Sequence, residues 1–171
     1  MHGEIRVEST PGRGSVFEVR LPYVAPAPQP DAARVAHSPL KDKPPAGITI
    51  LLAEDDELTQ MMLEATLADY GAHVVIVGDG TDAVERVATD GAEAYDIVLM
   101  DLQMPVMDGY EATRRIRELA PGLPIIGQTA HAFDKDRDRC LAAGMVAHVA
   151  KPIDSEALAA LILRVVAPTE R

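Results

Sequence analysis

Ile97-Val98-Leu99-Met100-Asp101-Leu102-Gln103-Met104-Pro105-Val106-Met107-Asp108-Gly109 is the stretch that decides how the rest of the chain is read. The four apolar residues 97–100 have the length and composition of a strand buried on both faces, as in a parallel sheet. The run then ends on a carboxylate. In open α/β sheets the reactive groups stand just past the carboxyl ends of strands, so Asp101 falls where a site would be. Pro105 and the Asp108-Gly109 pair force a turn directly afterwards and leave that carboxylate at the lip of the sheet. An isolated Asp in such a place reads most simply as a loop cap. What the other strands bring beside it decides whether it does chemistry.

Outward from this stretch, strands and helices alternate strictly. Strands are predicted at 48–53, 74–77, 97–100, 124–129 and 146–150, and helices at 58–70, 81–89, 110–119, 135–143 and 155–166. Gly71, Asp90-Gly91, Pro121-Gly122 and Gly144 supply stop signals after the first four helices. Alternating β and α implies a parallel sheet with right-handed crossovers. Five such units in about 120 residues predict a doubly wound α/β domain with a five-stranded parallel sheet. The strand order expected is the flavodoxin-like (βα)5 order 2-1-3-4-5.

In that order the ends of the first and third strands are neighbours. The first ends in Glu54-Asp55-Asp56, so acidic groups converge near Asp101. Like charges this close are costly unless something positive neutralises them. Mg²⁺ suits a site of one or two carboxylates completed by waters and phosphate oxygens. The fourth strand ends in Thr129, a hydroxyl, and the fifth runs into Lys151-Pro152, an ammonium able to reach inward. A nucleophilic carboxylate, a metal site, a hydroxyl and a lysine are the groups needed to move a phosphoryl group. Each has a plainer reading alone: acidic residues at a helix start complement its dipole, and Lys151 is a surface cation. Their assembly at four strand ends favours chemistry.

Residues 48–166 resemble the receiver domain of two-component signalling, particularly the receivers fused to hybrid sensor histidine kinases. The resemblance is carried by ILLAEDDELTQ, MDLQMPVMDGYEATRRIR, PIIGQTAHA, DRCLAAGM and KPI, in that order. It implies that Asp101 is the phosphoacceptor, that Asp55 ligates Mg²⁺ directly, and that Glu54 acts through a water. It further implies that Gln103 offers its backbone carbonyl to the metal and that Thr129 and Lys151 bind phosphoryl oxygens. The donor would be a phosphohistidine, on a kinase domain or a histidine phosphotransfer protein. The Lys151-Pro152 bond is expected to be cis. One position departs from the pattern. Such receivers usually carry Tyr or Phe three residues before the lysine, as a ring that moves with the threonine, and this chain has His148. An imidazole fills a similar space but wants a hydrogen-bond partner and can charge near neutral pH.

The remainder of the chain differs in kind. Residues 1–46 carry six Lys/Arg against five Asp/Glu, while 47–168 carry nine against twenty-one, so the acidity belongs to the second unit. A net charge of -11 excludes direct binding to nucleic acid as the default expectation. Seven of the thirteen prolines fall within 22–47, which reads as a stiff tether over 24–46. Upstream, residues 3–8 and 16–21 partly alternate apolar with charged around a turn-rich 9–15, the pattern of a hairpin. GEIRVESTPGRGSVFEVRLP resembles the last two strands of a histidine kinase ATP-binding domain, with Gly12 and Gly14 in its final glycine-rich box. The other nucleotide-binding boxes and a phosphorylatable His helix do not occur in these residues, so 1–23 reads as a remnant that binds no nucleotide. A single cysteine, Cys140, fits a reducing compartment. No apolar run approaches the roughly 18–20 residues that span a bilayer. A cytoplasmic fragment making no membrane contact is expected, from a parent that is itself free to be membrane-anchored.

Two other readings compete with a phosphoaccepting receiver. One is an interaction module that keeps the fold without being phosphorylated. The other is a phosphatase of the haloacid dehalogenase type, but those resemble Asp-x-Asp and the second position here is Gln103. The helix at 58–70 bears on partners. Leu63, Leu67 and Tyr70 follow one three-to-four stripe expected to face the sheet. Leu58, Met61, Met62 and Ala65 form a second stripe, either a wide core band or an exposed docking surface next to Pro152 and Ile153.

Overall fold

The computed structural model describes residues 4–10, 12, 14–20, 47–130 and 134–166, the side chains of 134–136 excepted. They belong to two compact units, one within Met1–Ser38 and the other within Pro39–Arg171. The expected tether at 24–46 lies outside the described residues.

The first unit is an antiparallel hairpin of β1 (Glu4–Thr10) and β2 (Gly14–Arg20). Its strands run closer to the turn than the sequence pattern indicates, because Thr10 pairs with Gly14 and Ser9 with Ser15, whose hydroxyls lie 2.7 Å apart. Gly14 accommodates a φ of 95° that a side chain would resist. Register puts Ile5 opposite Val19 and Val7 opposite Phe17, one apolar face, while Glu4 pairs with Arg20 and Arg6 with Glu18 on the other. All four of these apolar residues are more than half exposed.

The second unit is built of β3 (Thr49–Ala53), α1 (Glu57–Asp69), β4 (His73–Val77), α2 (Gly80–Asp90), β5 (Ile97–Asp101), α3 (Gly109–Leu119), β6 (Ile125–Thr129), α4 (Asp134–Ala143), β7 (Ala147–Ala150) and α5 (Ser155–Val166). The parallel sheet runs β4-β3-β5-β6-β7, which is order 2-1-3-4-5 within this unit. Every residue of the central β5 is buried, as a strand covered on both faces must be. Alternate side chains go to opposite layers. Val98 and Met100 join Ala83, Val87, Ala112 and Ile116 of α2 and α3, while Ile97 and Leu99 join Leu63 and Leu67 of α1 and Leu158 and Ile162 of α5. Each Val, Leu, Ile or Met among them contributes about 1.5–3 kcal/mol by leaving water.

Aspartates start four of the helices. Asp56, Asp79, Asp108 and Asp154 accept hydrogen bonds from backbone N–H groups in the first turns of α1, α2, α3 and α5. Gly80 and Gly109, the first residues of α2 and α3, are there for space. A Cβ on Gly109 would sit 2.0 Å from the Asp101 carbonyl oxygen, and one on Gly80 2.6 Å from that of Met107. The loop after β5 is therefore held closely by both helix starts. Val106 within it has a φ of 64° and is almost fully exposed, an unusual conformation for a β-branched residue.

Candidate functional site

Three strands deliver carboxylates and a cation to one end of the sheet. β3 stops at Ala53, and Glu54 follows with its N–H donating to the Val77 carbonyl (3.1 Å). β5 ends on Asp101 itself. Lys151 follows β7, its N–H donating to the Thr129 carbonyl at 2.7 Å, and the Lys151-Pro152 peptide is cis as expected. The Lys151 ammonium donates to Glu54 Oε2 and to Asp101 Oδ2, both at 2.7 Å. Glu54 is fully buried and Asp101 is 6% exposed, so this bridge lies well below the surface at its acidic end.

Burial pushes the Glu54 carboxyl above the usual range, against the pull of its hydrogen bond from Lys151, and the negative Asp101 adds to the rise. Burial works to lower the Lys151 ammonium, but its hydrogen bonds to Asp101 and Glu54 prevail and hold it above the ordinary lysine value. One cation thus stands against a surplus of negative charge.

A third carboxylate adds to that surplus. Oxygens of Glu54, Asp55 and Asp101 lie within 4.8 Å of one another. Hard carboxylate oxygens, one of them exposed at the rim, suit a divalent cation that keeps part of its water shell. The adjacent Asp56 is turned to other work: its Oδ1 accepts from the Thr59 N–H and hydroxyl, both at 2.8 Å, which holds its own carboxyl below the usual range. Gln103 has an exposed side chain, and its N–H donates to Asp101 Oδ1 at 3.2 Å.

Thr129 is buried at the end of β6, and with Gln103 and Arg139 it lines a polar pocket of about 260 Å³. His148 is half-buried on β7, in register with Gly127. The two stripes of α1 separate, except that Tyr70, expected to face the sheet with Leu63 and Leu67, is only half-buried because it lies at the C-cap where the helix has ended. Leu63 and Leu67 are buried, whereas Leu58, Met61 and Met62 are 61–67% exposed and Ala65 is exposed too. Met62 lines a mostly apolar cleft of about 170 Å³ with Pro152 and Ile153.

Several polar placements were not legible from residue type. The Gln60 side chain donates to the Glu54 carbonyl at 2.6 Å; the available signal was a polar residue one turn into a helix that follows an acidic loop. Arg139 stacks on the Tyr110 ring at 4.5 Å and ties α4 to α3. Gln128, in the last-but-one position of β6, is fully buried with neither amide atom hydrogen-bonded among the described residues.

Comparison with known proteins gives the family of the second unit. The response regulator receiver domain family matches residues 50–163. The chain belongs to that family. Sensor protein EvgS of Escherichia coli K12 is 32% identical over 158 residues, covering 92% of this chain but 13% of its own length. The receiver domain of sensor histidine kinase PA1611 from Pseudomonas aeruginosa PAO1, solved with a magnesium ion in its active site cleft, is 43% identical. It covers 71% of this chain and 98% of its own, with a TM-score of 0.62. The receiver of Saccharomyces cerevisiae Ssk1, solved together with the histidine phosphotransfer protein Ypd1, is 27% identical at a TM-score of 0.63, over 68% of this chain and 87% of that one. The second unit is thus a receiver of the kind found in hybrid histidine kinases and phosphorelay signalling. Among the described residues no helix is long and apolar enough to cross a membrane.

Proposed function

We propose that this receiver takes a phosphoryl group from a phosphohistidine onto Asp101, with Mg²⁺ held by Glu54, Asp55, Asp101 and the Gln103 carbonyl. The observation that carries this reading is the Lys151 ammonium spanning Glu54 and Asp101 beside the Asp55 carboxylate. An Asp101 oxygen attacks phosphorus in line, the N–P bond breaks, an acyl phosphate forms, and the imidazole leaves. The transition state is loose, so positioning and charge neutralisation do most of the work. The bound metal supplies positive charge against the phosphoryl oxygens. Lys151 and the Thr129 hydroxyl take the remaining oxygens, and water later hydrolyses the acyl phosphate. Thr129 and His148 form the switch pair, on adjacent strands. Residues 1–23 are the C-terminal remnant of a kinase ATP-binding domain and 24–46 the tether to a receiver at 47–168, in a cytoplasmic part of a larger histidine kinase.

Asp101→Asn keeps the shape and removes the nucleophile, so labelling by a small phosphodonor with Mg²⁺ should vanish. Labelling at the parent level refutes the assignment. An unlabelled parent indicates an interaction module instead.

The partner is a kinase phosphohistidine domain or a histidine phosphotransfer protein, docked on Leu58, Met61, Met62, Pro152 and Ile153. The exposed stripe and its cleft support this, as does the Ypd1 complex of the Ssk1 receiver. Met62→Lys should slow transfer from a cognate histidine protein and spare labelling by the small donor. Equal loss of both reactions places the stripe outside docking.

A further inference from the structure

We infer that Gln60 is a positioning residue for the metal-binding edge of the site, acting through the peptide that joins Glu54 to Asp55. The inference rests on reading Glu54, Asp55 and Asp101 as a Mg²⁺ site. Asp55 is exposed, so packing does not fix its carboxylate. Its direction depends on the backbone that precedes it. β3 ends at Ala53, and beyond it the sheet reaches Glu54 through the N–H that donates to Val77. The Glu54 carbonyl is held by a side chain. Gln60, half-buried on α1, donates its amide to that oxygen at 2.6 Å.

The contact follows from helix geometry. Helical side chains lean toward the N-terminus of their own helix, so a long amide in the first turns reaches back over the residues before the cap. The Gln60 N–H donates to the Asp56 carbonyl at 2.9 Å, so the residue is anchored in the helix while its side chain reaches two residues further back. The peptide unit is planar, and orienting the Glu54 carbonyl also orients the Asp55 N–H and the bond leading to its Cα. Gln60 thereby sets the direction in which the Asp55 carboxylate leaves the chain. Asp56 caps the helix on one side of this peptide and donates its own N–H to Glu54 Oε1 at 3.4 Å, the Val77 carbonyl holds Glu54 on the other, and Gln60 adds the hold on the carbonyl of the peptide itself. Partners that orient metal ligands typically influence affinity by tenfold or more.

Gln60→Met tests this with a side chain of equal length and good helix propensity that lacks the donor, and Gln60→Asn with a donor too short to span the gap. Mg²⁺ alone is titrated into the full chain by calorimetry, and melting is followed in chelator. Both variants should bind Mg²⁺ roughly tenfold more weakly, with melting temperatures in chelator within about 3 °C of the parent. The Mg²⁺ midpoint for labelling by a small phosphodonor should move by the same factor while the plateau at saturating Mg²⁺ is retained. Parent-like Mg²⁺ affinity in either variant overturns the inference and leaves the metal site standing. A parent chain that binds no Mg²⁺ overturns both.

Discussion

Leu99 and Asp101 stand two residues apart on β5 and leave the strand on the same face, yet they meet opposite surroundings. Leu99 is fully buried among Leu63, Leu67 and Leu158, where each methyl group removed from water adds stability. Asp101 meets Glu54 and Lys151, where every added carboxylate raises the free energy of the folded state until a cation offsets it. The same division recurs along β3 and β7, whose apolar residues give way to Glu54 and Lys151. Packing governs the interior of each strand. Its carboxyl end is released from packing and carries the chemistry.

The largest expected effect lies in the interior. Leu99→Ala should lower unfolding free energy by about 3–4 kcal/mol in denaturant titrations. If Asp101→Ala costs as much, the division between interior and rim breaks. Next comes Lys151→Met, which leaves Glu54 and Asp101 facing each other without their cation. A loss of about 2 kcal/mol is expected at neutral pH without metal, less than for a fully enclosed pair because the lysine is partly exposed. Its pH dependence has a definite sign. Burial holds the Glu54 carboxyl above its unfolded value, and removing the Lys151 hydrogen bond takes away the main pull against that rise, so the folded variant gains more stability than the parent as pH falls through the raised value toward the unfolded one. The deficit of Lys151→Met should shrink on acidification, and a deficit that grows would contradict the assigned cause.

Smaller effects sharpen the comparison. Val106→Asn should raise stability by about 1 kcal/mol, because Asn tolerates the left-handed backbone that Val resists. An unchanged melting curve would mean the loop carries no such strain. Smallest of all, Arg114→Ala, which removes an exposed ion pair with Glu111 on α3, should alter unfolding by less than about 0.5 kcal/mol. A larger effect would show that charge at the surface counts for as much as charge at the strand ends.

The two units also differ in how far residue order foretold them. Strand order and the residues at the strand ends were legible because a buried parallel strand announces itself by apolar continuity, and a charged residue that ends it has few other roles. The split on α1 was only half legible. Periodicity separated Leu63 and Leu67 from Leu58, Met61 and Met62, but exposure of the second stripe needed the packing of the helix. The hydrogen bond from Gln60 to the Glu54 carbonyl was beyond reach, since it depends on rotamers and on where β3 stops. So was the burial of Gln128 without a hydrogen-bond partner among the described residues, a polar side chain in a strand that composition alone reads as apolar. In the hairpin, alternation gave the two strands correctly, but a glycine-rich turn concealed how near the bend pairing continues.

The bare Cα of Gly109 against the Asp101 carbonyl has a consequence for how this chain can vary in length. The nine residues 101–109 form a loop whose ends touch, with the Gly109 N–H donating to the Leu102 carbonyl at 3.2 Å and Gly80 pressed on Met107 from outside. One inserted or deleted residue there would pull the start of α3 off the residue it abuts. The turns at 91–96 and 120–124 have no such closure around a buried carboxylate. Insertions and deletions should therefore accumulate at those turns and be purged from 101–109, giving this loop a fixed length even where its side chains are free to change.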